Sequence, residues 1–442
     1  MSEQTAPDAP IQARTVPATD EGFSPRGIAG TIRALELDLR LIGMIVVLVA
    51  IWIVFDLFTG GRFITPRNLF NLSVQTASVA VMATGMVFVI VARHIDLSVG
   101  SLLGFFAMVM GVIQAQILPS LIGFDHPMTV VVTITIGIAL GILVGGLHGY
   151  IIGYLAVPAF IVTLGGLLVW RGAAWWVTTG QTVAPLDRQF LLFGGGIVGT
   201  LGAFWSWVFG AVAIAGILFF ASNERRRRML FHFPVKPMWA EIANVVMLTG
   251  IVIAFVMTMN AYPLPAIASQ RLAEARGLAE VPNWVHGIAV PVVVVAIIAL
   301  AMTYVARATK FGRYVFAMGG NPQAAELSGI DTKRMTLYIF MLMGALTAIS
   351  AVIASARLQS AANDLGTLDE LRVIAAAVIG GTSLAGGVGT IYGAILGALV
   401  MQSLQSGMAL IGVETSLQSI VIGLVLVLAV FVDQLYRRKV AT

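Results

Sequence analysis

Residues 128–148 read MTVVVTITIGIALGILVGGLH, and they decide the fold. No Asp, Glu, Lys or Arg interrupts them. About 20 apolar residues in a helix cover the ~30 Å hydrocarbon core of a bilayer, so the stretch predicts a membrane span. Its glycines are also in register, at Gly137, Gly141 and Gly145, continuing to Gly149 and Gly153. Spacing by four strips one helix face of side chains and lets another backbone come close. Gly389, Gly393 and Gly397 repeat the pattern.

Working outward, similar apolar runs lie near 39–59, 70–92, 98–118, 158–178, 194–221 and 239–260, then near 284–306, 335–357, 370–386, 388–411 and 416–435. With 128–148 they make twelve candidate spans. The run 370–386 is the weakest. Asp369, Glu370 and Arg372 mark its start and a Gly-rich turn its end, so it reads as a short or re-entrant segment.

Composition agrees. Of 442 residues, 58% are apolar and 11% charged, against about 25% charged in a soluble domain. This excludes a soluble enzyme, a disordered chain and a nucleic-acid binder. With no Cys, thiol chemistry, disulfides and Cys-ligated metals are excluded. His94, His126, His148, His232 and His286 form no paired metal motif, so no metal site is expected. Residues 1–38 contain no apolar h-region and read as a disordered cytoplasmic tail.

Arg and Lys set the orientation. With the N-terminus inside and spans alternating, eighteen basic residues fall inside and seven outside, while Arg171 lies within a span. The inside set includes Arg93, Arg225 to Arg228, and Arg307 to Arg334. This predicts an all-α, polytopic protein of about twelve transmembrane helices, both termini cytoplasmic. Arg171 either snorkels to the interface beside Trp175 and Trp176 or faces the bundle interior.

Three loops carry further information. In Arg93-His94-Ile95-Asp96-Leu97-Ser98-Val99-Gly100-Ser101, Asp96 or Ser98 is placed to cap the next helix. So many polar groups at a membrane break also fit a functional discontinuity. The inside loop 307–334 contains Gly319-Gly320-Asn321-Pro322. Asn321 reads as the N-cap of a short helix over Pro322–Leu327, with Pro322 first and Gly329 as its stop. It is either a connector or a docking element. The third loop, Gly380 to Gly389, is Gly-rich but lacks the GK[ST] of a phosphate cradle. No ATP site is encoded there.

These three loops resemble, in order, segments of the permease subunits of binding-protein-dependent ABC sugar importers of the ribose, xylose and galactoside group. The likeness rests on HIDLSVGS, FGRYVFAMGGNPQAAELSGI and VIGGTSLAGGVGTIYGAILGAL, and extends over about 65–435. It implies a ten-span core, with residues 190–260 as a two-span insertion most like that of a xylose permease. The transmembrane domain then occupies 39–442, and 307–334 is the cytoplasmic coupling loop. The resemblance implies a homodimer of permeases in the bacterial inner membrane. A cytoplasmic ABC ATPase would hold ATP and Mg, and a periplasmic sugar-binding protein would deliver a monosaccharide; no nucleic acid is involved. The coupling residues would be Gly319, Gly320, Asn321, Pro322, Ala324, Ala325, Leu327 and Gly329. Asp96, Ser98, Ser101, Arg171, Thr382 and Ser383 are candidates for the translocation path. Tyr262-Pro263-Leu264-Pro265 fits an outer entrance. The rivals are a branched-chain amino acid permease of the same class and an ion-coupled sugar transporter. The second needs buried acidic groups, which the spans largely lack.

Overall fold

The structure is a computed structural model that describes residues 39–441, apart from 276 and 279. The expected tail, 1–38, and Arg276 lie outside the described residues. The long helices are α1 (Leu39–Phe58), α2 (Pro66–Val91), α3 (Val99–Val112, continued to Ile122 through a π turn), α4 (Pro127–Gly153) and α5 (Ala159–Thr178). They continue as α6 (Gly202–Leu230), α7 (Met238–Asn260), the short α8 (Ala266–Ala275) and α9 (Val290–Ala308). Next come α10 (Lys310–Gly320), α11 (Pro322–Leu327), α12 (Thr332–Leu358), α13 (Asp369–Ile379), α14 (Ile391–Leu410) and α15 (Thr415–Ala441). Ten of these are long and apolar enough to cross a membrane. The protein is a polytopic helical membrane protein.

The glycine registers set the packing. Gly141, Gly145, Gly149 and Gly153 of α4 face the backbone of Gly344, Phe340, Leu337 and Lys333 of α12 in turn. Numbers rise on one helix as they fall on the other, so the pair is antiparallel. A Cβ added to Gly149 would sit 2.7 Å from the Leu337 Cα. In the same way Gly393 and Gly397 of α14 meet Gly380 and Ala376 at the end of α13. Around these seams α2 is enclosed on almost all sides, with buried Val79 to Val91 at the centre of the main core.

The run 370–386 is not a full helical span. Helix α13 has 11 residues, about 16 Å at 1.5 Å per residue, half of what a crossing needs. The segment before it supplies the rest. Ala361 bridges to Val183 near the end of α12, while Leu365 and Gly366 pass beside Gly104 and Gly100 of α3. The turn 380–389 then reaches Val91 and Gly319 at the opposite end of the bundle. Residues 359–379 thus traverse the bundle as a series of turns followed by a half helix.

The run near 194–221 is also displaced. Residues 190–201 fold as a 3-10 turn and an irregular loop that packs on α12 and α9, and the helix begins only at Gly202. Helices α6 and α7 pack on each other and touch the rest mainly through Phe70 and Val74 of α2.

Candidate functional site

The candidate residues fall into two buried groups, with a cavity beyond them. The first group is a latch at the end of the bundle that carries α10 to α12. Chain reversal after α2 puts Arg93 in the left-handed region, at φ 65°. From there its Nε donates to the Gly319 carbonyl at 2.7 Å and its Nη2 to the Gly320 carbonyl at 2.7 Å. Gly319 lies against the Val91 carbonyl and 2.8 Å from the Gly387 amide as measured to an added Cβ, so any side chain there would part the segments. Gly387 N donates to the Val91 oxygen at 3.0 Å. The three loops singled out in the sequence therefore meet at one point. Thr382 and Ser383 are buried in this turn, and neither hydroxyl has a hydrogen-bond partner among the described residues.

From the latch projects α11. Asn321 Oδ1 accepts from Ala324 N at 3.0 Å, Pro322 opens the helix, and Gly329 at φ 82° closes it. Ala324 and Leu327 face outward, and Leu327 is 91% exposed. Ala325, expected on the outer face with Ala324, is instead buried. Its neighbour is one residue and ~100° away around the helix, so the two cannot share a face.

The second group lies where α3 begins within the bundle. Asp96 Oδ1 accepts from Ser98 N at 2.9 Å and Ser98 Oγ at 2.6 Å. Capping of α3 by the Ser98 side chain does not occur: its hydroxyl is turned to Asp96, and Ser98 has helical dihedrals where a cap is extended. Ser98 Oγ also lies 3.5 Å from His148 Nδ1, and Trp170 Nε1 donates to His148 Nε2 at 3.0 Å. A polar chain thus links α3, α4 and α5 through otherwise apolar surroundings.

At the next turn Gly100 packs against Glu370 at the start of α13. The hydroxyl of buried Ser101 and one oxygen of buried Glu370 have no hydrogen-bond partner among the described residues. Arg171 does not snorkel. Its Nη1 donates to the Asn363 and Leu365 carbonyls at 3.0 and 3.1 Å, meeting backbone acceptors that the turns before α13 leave open. Asp96, Ser98, Ser101 and Arg171 thus gather at the two chain breaks, whereas Thr382 and Ser383 sit apart at the latch.

Sequence reasoning missed His148, Trp170 and Glu370. His148 stood alone in an apolar run, and Glu370 was read as the flank of a weak span. It also missed a cavity of about 1380 Å³ at the far end of the bundle. Asn71 and Gln75 of α2, Arg357 of α12, and Arg271, Asn283 and Trp284 of the 261–289 segment line it. Leu264 and Pro265, expected at an entrance, line it too. Gln75 accepts from Gln402 Nε2 at 2.9 Å. Amides in apolar spans were the available signal.

Helices that carry a multi-pass protein through a bilayer, a latch with an exposed helix at one end and an open cavity at the other define a membrane permease component. The chain belongs to the family described as branched-chain amino acid transport system / permease component, whose model matches residues 68–430. Relatives matched over most of their length are named for sugars. It is 35% identical to the xylose transport system permease protein XylH of Haemophilus influenzae, over 91% of this chain and 98% of that protein. The xylose permease of Escherichia coli K12 is 34% identical over 97% and 98%. The E. coli K12 ribose import permease protein RbsC is 32% identical over 84% and 87%. No solved structure matches.

Proposed function

We propose that the chain is the permease subunit of an ATP-driven importer of xylose or a similar monosaccharide in the bacterial inner membrane. The sugar-named relatives, matched over nearly their whole length, support a sugar over an amino acid. Twelve crossings fit the basic-residue distribution if 359–379 and α15 each count as one, and both termini are then cytoplasmic. Two copies of the chain form the pathway, a cytoplasmic ATPase drives it, and a periplasmic binding protein delivers the sugar to the cavity. There Trp284 offers an apolar ring face, and Asn71, Gln75 and Asn283 offer amide donors and acceptors.

The observation that carries the mechanism is the Arg93 clamp on Gly319 and Gly320 at the root of α11. It ties an exposed helix to the turn of a broken crossing. An ATPase groove that receives Leu327 would pull on α11, and the clamp would pass that pull to the 380–389 turn and to α13. Asp96, Ser98, Ser101 and Arg171 stand at the breaks that such movement would shift. Xylose uptake should therefore need the permease, ATPase, binding protein and ATP together in proteoliposomes. Uptake by the permease alone would overturn the proposal. Gly320 has open space around it, so Gly320→Trp should insert and fold normally yet abolish sugar-stimulated ATP hydrolysis. Normal stimulated hydrolysis in that variant would remove α11 from the coupling role.

A further inference from the structure

The α6–α7 hairpin plays no part in the clamp or the chain breaks, yet it carries the densest charge in the protein, Arg225-Arg226-Arg227-Arg228. Helix α6 has 29 residues, about 43 Å, and so outruns a ~30 Å hydrocarbon core. The arginines occupy the part that projects. They point different ways, because successive residues turn by ~100°. Arg225 turns to α7 and pairs with Glu241, and Arg228, three residues on, is bridged to Glu224 at 2.8 Å. Arg226 and Arg227 are exposed, on the side away from α7, and have no hydrogen bond or ion pair among the described residues.

What lies along that outer face matters as much. Seven residues, two helical turns, separate Phe219 from Arg226 and Phe220 from Arg227, so each pair shares a side of the helix. Phe219 and Phe220 are 64% and 65% exposed. Between them and the arginines come Ser222 and Asn223, both exposed. The rise from ring to guanidinium is about 10 Å, which takes the chain from the edge of the hydrocarbon core through the headgroup layer. Trp239 and Phe231 flank the turn on its exposed side, where aromatic rings favour a bilayer interface.

We propose that this face is a binding site for an anionic glycerophospholipid. Its acyl chains lie on Phe219 and Phe220, its ester region faces Ser222 and Asn223, and its phosphate is held by Arg226 and Arg227. Two adjacent guanidiniums suit a phosphate because each can give paired N–H bonds in one plane. The two glutamates neutralise Arg225 and Arg228 and leave the outward pair for the lipid. The insertion thereby fastens the edge of the transporter to acidic lipid.

The test uses the full chain in nanodiscs of equal phosphatidylcholine and phosphatidylglycerol, with the lipid retained after mild detergent extraction measured by mass spectrometry. The natural chain should retain phosphatidylglycerol preferentially. The double substitution R226Q/R227Q should cut that preference roughly twenty-five-fold, since each interfacial cation contributes about a fivefold factor. R226K/R227K keeps the charges without the paired N–H bonds and should restore part of it. The chain has no Cys, so Gln323→Cys on α11 gives a unique label that reports topology in each variant. An unchanged lipid preference in R226Q/R227Q overturns the proposal. So does a changed side of labelling, which would make the arginines orientation signals only. Failure of the lysine pair to restore retention, or equal displacement of the lipid by inorganic phosphate, overturns it as well.

Discussion

Helices α2 and α6 have the same mean hydropathy over their apolar windows, yet 94% of one window is buried in protein and 11% of the other. In water such a pair could not exist, because apolarity and burial go together. In a bilayer, hydropathy reports only that a helix enters lipid. What separates the two is residue size and polarity. Helix α2 carries Gln75, Thr76, Ala77, Ser78, Ala80, Ala83, Thr84 and Gly85, which let neighbours approach or bond across, as Ser78 and Ser350 do at 2.7 Å. Helix α6 carries Phe204, Trp205, Trp207, Phe219 and Phe220, all exposed. Small and polar residues mark the protein-facing helices, and large rings mark the lipid-facing ones.

The comparison can be broken most directly at glycine. Gly145 faces the Phe340 backbone across the α4–α12 seam, whereas Gly216 on α6 has nothing within 4 Å of an added Cβ. Gly145→Leu should destabilise the protein by about 3 kcal/mol or more, the upper range for overpacking, and Gly216→Leu by almost nothing. Thermal unfolding in detergent measures both. Similar melting shifts would mean that the seam is not the structural centre.

A smaller effect is expected from charge. Arg171→Leu removes the donor to two carbonyls of the turns before α13 and should cost about 2 kcal/mol. Arg227→Leu at the edge should leave unfolding unchanged within about 0.5 kcal/mol. Equal costs would show that Arg171 is no more needed than an arginine on the outer helix.

The smallest effect is one of pH. Outside the spans, His286 stacks on Tyr262 with ring centres 4.2 Å apart. Burial pushes its pKa below the usual 6.5, against the opposing pull of nearby backbone carbonyls. Between that lowered value and 6.5 the unfolded segment binds more protons, so local stability rises with pH and is lost as pH falls below about 6.5. Hydrogen exchange over residues 261–289 should quicken on acidification, and His286→Phe should flatten the response. A natural chain indifferent to pH from 7.5 to 5 would contradict this assignment.

Much of this was legible in advance. Spans, glycine registers and α11 follow from apolar runs, from spacing by four, and from Asn321-Pro322 with Gly329. The half crossing was legible only in part, as a short or re-entrant segment at 370–386. Its outer portion, Gln359 to Leu368, is polar enough to read as an exposed loop, because a linear pattern cannot show that Arg171, almost two hundred positions earlier, will satisfy its carbonyls. Residues 194–201 of this irregular loop read as part of a span, since Gly, Ile, Val and Leu look alike in hydropathy whether helical or irregular. The Asp96–Ser98–His148–Trp170 chain was hidden for the first reason: its members come from three helices.

The seam between α4 and α12 has a mechanical consequence. Where backbone lies on backbone, no rotamers exist to yield, so the two helices form a stiff beam. One end of α12 follows directly from the exposed helix at 322–327, and its other end puts Arg357 in the wall of the cavity. A beam of 27 residues, about 40 Å long, would work as a pushrod: a displacement delivered to one mouth of the protein would be felt at the other without any relay of side chains between them.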